Sequence, residues 1–220
     1  MTHTPAMARK KRTGDPPADA PTPEPSKDAI DGCRRCELWE PATQGVPGAG
    51  PLRARVVLVG EQPGNDEDLA GAPFVGPAGR LLRALLEEAG LPPAEVYLTN
   101  AVKHFHYELR GKRRLHKTPL QRHVAACHVW LEAELARVRP SVIVALGATA
   151  LTAVLERRVS ITAAREASLV HPATDIPVVA TYHPSAVLRG PDPDARAQLR
   201  AQLLADLKKA RRLAGRKGQH

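Results

Sequence analysis

Cysteine, aromatic residues and long apolar runs are all scarce in this sequence, and each shortage excludes a class of protein. The 220 residues include 3 cysteines, an odd number that cannot all pair, and no signal for export is visible. Aromatic residues make up 3%, so aliphatic side chains must build the core. No segment approaches the about 20 apolar residues of a membrane-spanning helix, and no apolar stretch follows the basic N-terminus. We therefore expect a cytoplasmic protein with no membrane partner.

Positive charge and aliphatic residues are abundant instead. A hydrophobic content of 43% in 220 residues is enough to build the core of one domain. The net charge of +9 and the isoelectric point near 9.9 favour a polyanionic partner, with nucleic acid ahead of an anionic membrane surface. We expect one folded domain over residues 31–213, between a disordered, basic and proline-rich tail over 1–30 and a frayed tail over 214–220.

Short apolar runs alternate with helical patterns along the expected domain. The runs predict strands at 56–59, 96–99, 142–146 and 177–181. Helical patterns cover 77–89, 118–138, 148–155 and a last segment around 199–207, with Thr118 as N-cap and Pro119 as first residue of the second helix. Residues 159–170 are ambiguous and compatible with an extra edge strand. The alternation predicts an α/β fold, a three-layer sandwich around a mainly parallel four-stranded sheet.

Glycine and polar residues directly follow each predicted strand. Residues 60–64 (GEQPG) follow the first strand, Asn100 the second, Gly147 the third, and residues 183–185 (HPS) the fourth. Because ligands of open α/β sheets bind at the carboxyl edge, these segments are expected to form one pocket.

Five segments together resemble the iron–sulfur uracil-DNA glycosylases, most closely the X-type branch, which crosslinks covalently to uracil-containing DNA. They are GEQPG at 60–64, PFVGPAG at 73–79, TNAVKHF at 99–105, KRRLH at 112–116 and HPS at 183–185. The basic KRRLH segment favours the X-type over the ordinary branch. The resemblance implies a uracil-DNA glycosylase fold and excision of uracil from single- or double-stranded DNA. We expect a monomer, since one DNA site needs no symmetry. Asn65 departs from the pattern, which tends to carry Asp there, so no role is transferred to it.

The cysteines indicate a metal centre. Cys33 and Cys36 have the spacing that lets two thiolates bind one centre, either zinc or iron–sulfur, and Cys127 is a third thiol. The resemblance implies a [4Fe-4S] cluster whose fourth ligand is His104, since an imidazole can replace a thiolate on iron. The competing histidines are His106, His123 and His128.

The resemblance also assigns a uracil pocket. It implies that Phe74 stacks on a base flipped out of the DNA and that backbone groups from Gly60 to Gln62 complete the pocket. The Asn100 amide suits uracil because it can donate to O4 and accept from N3–H at once. His183 would donate a hydrogen bond to the uracil anion as the glycosidic bond breaks. The residues alone, without the resemblance, are also compatible with other interpretations. Phe74 would then be a core residue, Asn100 a strand-end cap and His183 part of a turn.

The basic segment carries the residues that would distinguish the X-type reaction. His116 is the expected nucleophile on the sugar carbon C1′, with Glu61 orienting it or accepting its proton and Gln62 fixing the loop. The loop over 104–117 is long for a structureless connection, which suggests function. Phosphate contacts are expected from Lys112, Arg113, Arg114 and Lys117, with Arg189 as a further DNA contact. The alternative for these charges is a solvated surface.

Two other functions remain open from the sequence. One is a turning-over glycosylase in which water attacks C1′ and His116 only contacts DNA. The other is a non-catalytic, metal-bearing module that binds nucleic acid.

Overall fold

The computed structural model describes residues 23–216, which form an α/β structure around one central sheet. The strands of this sheet are β1 Val56–Gly60, β2 Val96–Asn100, β5 Val142–Leu146, β6 Leu169–Val170 and β7 Pro177–Thr181. They lie in the order β2-β1-β5-β7-β6, and all neighbouring pairs are parallel except β6 with β7. The four parallel strands confirm the predicted runs, and the α/β class is confirmed.

Helices cover both faces of this sheet. They are α1 Lys27–Asp31, α2 Asn65–Ala70, α3 Pro77–Glu88, α4 Gln121–Val138, α5 Ala148–Leu155, α6 Ile161–Glu166, α7 Pro184–Leu188 and α8 Pro193–Arg216. Successive residues of β1 point to opposite faces, as a pleated strand requires. Val57 and Val59 pack with α4 and α5, whereas Val56 and Leu58 pack with α3 and α8. The result is the three-layer sandwich predicted from the sequence.

The sheet has five strands rather than the predicted four. The ambiguous residues 159–170 supply both the short helix α6 and the edge strand β6, which pairs antiparallel with β7. Two residues are too few to give a period-2 pattern, so the sequence alone could not define this strand.

Helical residues extend past both domain boundaries expected from the sequence. Ser26 caps α1, and Ile30 is fully buried, so the ordered chain begins before residue 31. At the other end α8 continues to Arg216, and Ala214 is buried. Buried apolar contacts hold both segments, and local composition does not reveal such contacts. Residues 1–22, assigned to the N-terminal tail, and residues 217–220 lie outside the described residues.

The segment over 104–117 contains a β-hairpin rather than the expected loop. Strand β3, Tyr107–Arg110, pairs antiparallel with β4, Arg113–His116. The turn between them is Gly111–Lys112, and Gly111 has φ 61, a left-handed conformation that glycine adopts without strain. The hairpin places His116 opposite Tyr107 at its base.

The helix expected to have Thr118 as N-cap and Pro119 as first residue begins two residues later, at Gln121. Its N-cap is Leu120, whose backbone N–H donates to the Nδ1 atom of His123 at 3.1 Å. The carbonyl of Thr118 instead contacts His106 Nδ1 at 3.2 Å, beside the base of the hairpin.

Among residues 23–216, none of the helices combines the length and the apolar character needed to cross a bilayer.

Candidate active site

Gly60, Phe74 and Asn100, the three residues expected to bind uracil, come together at the carboxyl edge of the sheet. Gly60 ends β1 beside Asn100, which ends β2. A Cβ atom on Gly60 would stand 2.3 Å from Asn100 Oδ1 and 2.7 Å from Phe74 Cζ. Only glycine fits there, and its missing side chain lets the amide and the ring approach the end of β1.

Phe74 is held in a strained conformation. Its φ is 56, which is uncommon for a bulky residue outside a tight turn. Gly79 makes this path possible, because a Cβ atom there would stand 1.7 Å from the Phe74 carbonyl oxygen. The Phe74 ring is stacked on that of His183, with centroids 6.2 Å apart and an interplanar angle of 27°.

His183 is arranged as a neutral hydrogen-bond donor. Its Nδ1 accepts from the Ser185 backbone N–H at 3.1 Å and lies 2.7 Å from the Ser185 hydroxyl. With Nδ1 occupied as an acceptor, the proton of the neutral ring is on Nε2. Burial lowers the pKa of His183 to about 4, outweighing the opposite effect of Glu61. The ring is therefore uncharged at neutral pH and can donate through Nε2–H.

Three side chains from distant segments form a hydrogen-bonded series. His116 Nε2 lies 2.9 Å from Glu61 Oε1, and the Thr149 hydroxyl donates to Glu61 Oε2 at 2.5 Å. Burial raises the pKa of Glu61, but the hydrogen bonds from His116 and Thr149 outweigh it and leave the pKa below its ordinary value. Glu61 is thus an ionised carboxylate with both oxygens engaged. His116 is about half exposed, so its ring can be reached from solution.

Gln62 ties both ends of the hairpin to the end of β1. Its amide nitrogen lies 3.0 Å from the His106 carbonyl and 3.1 Å from the Lys117 carbonyl, and its Oε1 accepts from the His106 N–H at 3.1 Å. The same nitrogen faces His116 Nδ1 at 3.2 Å. Because a donor faces Nδ1, the lone pair is on Nδ1 and the proton on Nε2, toward Glu61.

The five basic residues expected to contact DNA differ in their surroundings. Lys112 and Arg113 are exposed at the turn of the hairpin, and Arg189 is exposed at the end of α7. Lys117 is exposed and pairs with Glu108 at 3.0 Å. Arg114 instead turns inward.

The Arg114 guanidinium donates to Asp68 Oδ2 at 2.6 Å, to Asn65 Oδ1 at 2.9 Å and to the Thr43 hydroxyl at 3.1 Å. Asp68 is fully buried. These contacts fasten the hairpin to α2 and give Asn65 a structural partner. An Asp at that position would instead add a second carboxylate to Arg114.

Cys36 and Cys127 are in hydrogen-bond contact in the described structure, and neither they nor Cys33 is in a disulfide. Cys33 accepts a hydrogen bond from the Trp130 indole at 3.3 Å. A hydrogen bond from Cys127 lowers the pKa of Cys36 to about 6. The same interaction and burial raise the pKa of Cys127, whose thiol also contacts the backbone of Lys103.

His104 follows Lys103 directly and is buried, and this burial lowers its pKa and keeps it neutral. Within residues 23–216, no three His, Cys, Asp or Glu side chains are grouped closely enough to hold a single ion. Ligands of a cubane cluster each bind a different iron atom and so stand farther apart than ligands of one zinc ion. Three free thiols and a neutral imidazole are the kinds of donor that an iron–sulfur cluster takes.

A buried ion pair beside this site was not found from the sequence. Lys103 Nζ lies 2.7 Å from Glu134 Oε2, and neither side chain is exposed. The lysine also donates to the Asn100 carbonyl at 2.9 Å, and Glu134 accepts from the Gly48 N–H at 2.7 Å. A carboxylate on the inward face of α4 was the available signal, since such a group needs a buried partner. Thr149 was also missed, although it closely follows the end of β5.

The sheet and the polar crevice at its carboxyl edge define an α/β protein with an enzyme-like site, in which a histidine, a carboxylate and a hydroxyl are hydrogen-bonded in series. The chain belongs to the uracil-DNA glycosylase superfamily, whose family model matches residues 47–208.

Curated relatives agree with this membership. The chain is 37% identical over 191 residues to a type-4 uracil-DNA glycosylase of Archaeoglobus fulgidus, covering 84% of this chain and 89% of the relative. It is 38% identical over 187 residues to one from Thermotoga maritima, covering 84% and 91%. It is 35% identical over 198 residues to one from Sulfurisphaera tokodaii, covering 87% and 84%. The expected superfamily is confirmed, and the assignment to the X-type branch stays a prediction.

Proposed function

We propose that this protein removes uracil from DNA and is then captured covalently on the abasic sugar through His116. The observation that supports it most is the series of His116, Glu61 and Thr149. A nucleophile within hydrogen-bond distance of a base, itself oriented by a third group, is the arrangement that covalent catalysis requires. His116 also lies at the base of a hairpin whose turn carries exposed cations.

Recognition of the base rests on Asn100, Phe74 and the backbone around Gly60. A uracil flipped into this crevice stacks on the Phe74 ring, while the Asn100 amide pairs with O4 and N3–H. Cytosine has a donor at C4 and an acceptor at N3, so it mismatches the same amide. The close approach at Gly60 allows the base edge to meet backbone groups.

Cleavage leaves positive charge on the sugar and negative charge on uracil O2. His183 is neutral, and its Nε2–H is free to donate. A neutral donor stabilises the uracil anion without giving up its proton, and a preorganised donor of this kind is worth several kcal/mol in transition-state stabilisation, ~3 kcal/mol in the best-measured cases.

Capture requires the Nδ1 lone pair of His116, which exchanges its contact with the Gln62 amide for the sugar carbon. One nitrogen of His116 bonds to C1′ as the bond from C1′ to uracil N1 breaks, and the electron pair of that bond leaves with uracil. The proton on the other nitrogen passes to Glu61, so the ring ends neutral. Gln62 holds the base of the hairpin and thus the distance between His116 and the sugar. The N-glycosidic product has a poor leaving group and persists.

The cluster ligands are part of this proposal. Cys33, Cys36, Cys127 and His104 would hold a [4Fe-4S] cluster, which ties the N-terminal segment to α4 and to the chain after β2. Such a cluster would supply structural order, and the steps above use only this chain's own residues. The similarity to type-4 relatives supports its presence.

A denaturing gel tests the proposal. The full chain is incubated with labelled DNA containing one uracil, and the products are separated in SDS before and after alkali. An SDS-stable shifted band is expected. An alkali-labile abasic product without the band would indicate a turning-over glycosylase, which the similarity to the type-4 relatives favours as the second candidate. If neither the shifted band nor the abasic product forms, glycosylase activity itself is contradicted.

A further inference from the structure

A cavity of about 470 Å³ opens at the edge of the sheet opposite the active site. Four arginines line it, Arg53, Arg55, Arg137 and Arg139, together with Ser141. None of the described residues that line the cavity is acidic. Such a concentration of one charge in one concave site indicates an anionic ligand.

The position of the cavity follows from the parallel sheet. Arg55 directly precedes β1, Ser141 directly precedes β5, and the Ser141 N–H donates to the Arg55 carbonyl at 2.9 Å. Both residues therefore lie at the amino edge, whereas Glu61 lies past the carboxyl end of β1. A five-residue strand spans about 16 Å. A nucleotide held in the active site is thus not the group that fills this cavity.

Three of the four guanidinium groups are already engaged, since Arg139 Nε donates to the Ala136 carbonyl at 3.3 Å. Arg137 pairs with Glu24 at 3.1 Å, and Arg55 donates to the carbonyl of Ala214. Arg53 and Arg139 have no carboxylate partner among the described residues. Arg139 is the C-cap of α4, with φ 51, a left-handed conformation. This backbone conformation places the exposed side chain of Arg139 at the cavity.

We propose that this cavity binds phosphate groups, and that Arg53 and Arg139 are their principal donors. The guanidinium fork matches two phosphate oxygens and stays charged at all physiological pH values. The phosphate can come from a DNA segment outside the active site or from a free phosphoryl anion. This site goes beyond the proposed function, because it requires neither uracil nor His116.

The test uses the full chain with Arg53→Gln, Arg139→Gln and the double variant. Arg83→Gln is the matched control, because it removes the same charge from an exposed position on α3. Binding of a long uracil-free single strand is measured against salt concentration, and binding of inorganic pyrophosphate is measured by calorimetry. Each lost phosphate contact lowers the slope of log affinity against log salt by about 0.7.

If DNA occupies the cavity, both cavity variants lower the slope and the control does not. If a free anion occupies it, pyrophosphate binding is lost in the double variant while the DNA slope stays unchanged. Wild-type values for both ligands in the double variant would overturn the proposal. Uracil release from a short oligonucleotide, unchanged in these variants, separates this result from any failure of the catalytic proposal. Unchanged melting temperatures show that the variants fold.

Discussion

The Thr149 hydroxyl donates a 2.5 Å hydrogen bond to Glu61 Oε2, which leaves Oε1 of the same carboxylate directed at His116. Thr149 comes from the first turn of α5, whereas Glu61 follows β1. The parallel pairing of β1 with β5 brings these segments together. The orientation of the proposed base therefore depends on a neighbouring strand and helix.

Thr149→Val should slow formation of the SDS-stable adduct by about tenfold, because loss of one orienting hydrogen bond corresponds to about 1.4 kcal/mol. Burial raises the pKa of Glu61 and the Thr149 hydrogen bond opposes it, so this pKa should rise in the variant. The acid limb of the rate profile should then move to higher pH. Thr149→Ser keeps the hydroxyl and should restore both values. A profile unchanged in Thr149→Val would leave Thr149 with a packing role alone.

His116→Ser should separate excision from capture. The smaller side chain leaves room for water near C1′, so uracil release should continue while the SDS-stable band disappears. Mass spectrometry of a trypsin-digested complex should place the sugar on the peptide that contains His116. An adduct on any other peptide, or one that persists in His116→Ser, would show that another residue is the nucleophile.

His183→Ala should slow uracil release and adduct formation together, by about 100-fold, because stabilisation of the anion precedes either fate of the sugar. Single-turnover rates of both products measure this. A loss of adduct with normal uracil release would contradict the proposed stabilisation of the uracil anion by His183.

The pH dependence of stability gives a second measurement on His183. Its folded pKa is about 4, below the unfolded value of about 6.5. Its neutral form is favoured by folding, so the free energy of unfolding should decline as pH falls from 6.5 to 4. His183→Gln should reduce that decline.

The metal centre should contain iron and sulfide. His104→Cys should keep the brown cluster, since a thiolate replaces the imidazole, whereas His104→Ala should lose iron. His128→Ala is the control, because His128 was a competing ligand from the sequence and lies on the same helix as Cys127. Stoichiometric zinc without iron or sulfide, in protein purified without oxygen, would contradict the cluster.

Arg113 and Arg114 should behave differently despite being neighbours. Arg113→Ala removes an exposed charge and should lower the slope of log affinity against log salt by about 0.7 on single-stranded DNA. Arg114→Ala breaks the hydrogen bonds to Asp68 and should cost about 2 kcal/mol of unfolding free energy. Salt titrations and urea unfolding measure the two effects. Equal slopes in Arg113→Ala and the wild type would show that Arg113 is a solvated surface residue that does not contact DNA.

Much of the fold follows from local patterns. Continuous β-rich runs are confirmed as the four parallel strands, and the helix over Ala148–Leu155 has the predicted bounds. The carboxyl-edge rule also brings Gly60, Asn100 and His183 to one crevice. These features depend on residues close in sequence or on the general geometry of parallel sheets, so one sequence suffices to predict them.

The sequence by itself predicted the four parallel strands and the crevice at their carboxyl edge, because each rests on local periodicity or a short motif. His116 as candidate nucleophile came from the family resemblance and stays a prediction. Only the tertiary structure decided which charges are free. Arg114 carries the same charge as Arg113, yet it faces the buried Asp68, which lies 46 residues away. The inward position of Glu134 on α4 likewise signals a buried partner, but only the fold shows that this partner is Lys103. Desolvation makes an unpaired buried charge costly, so the partner that the fold supplies determines whether a charged residue holds the protein together or remains available to DNA.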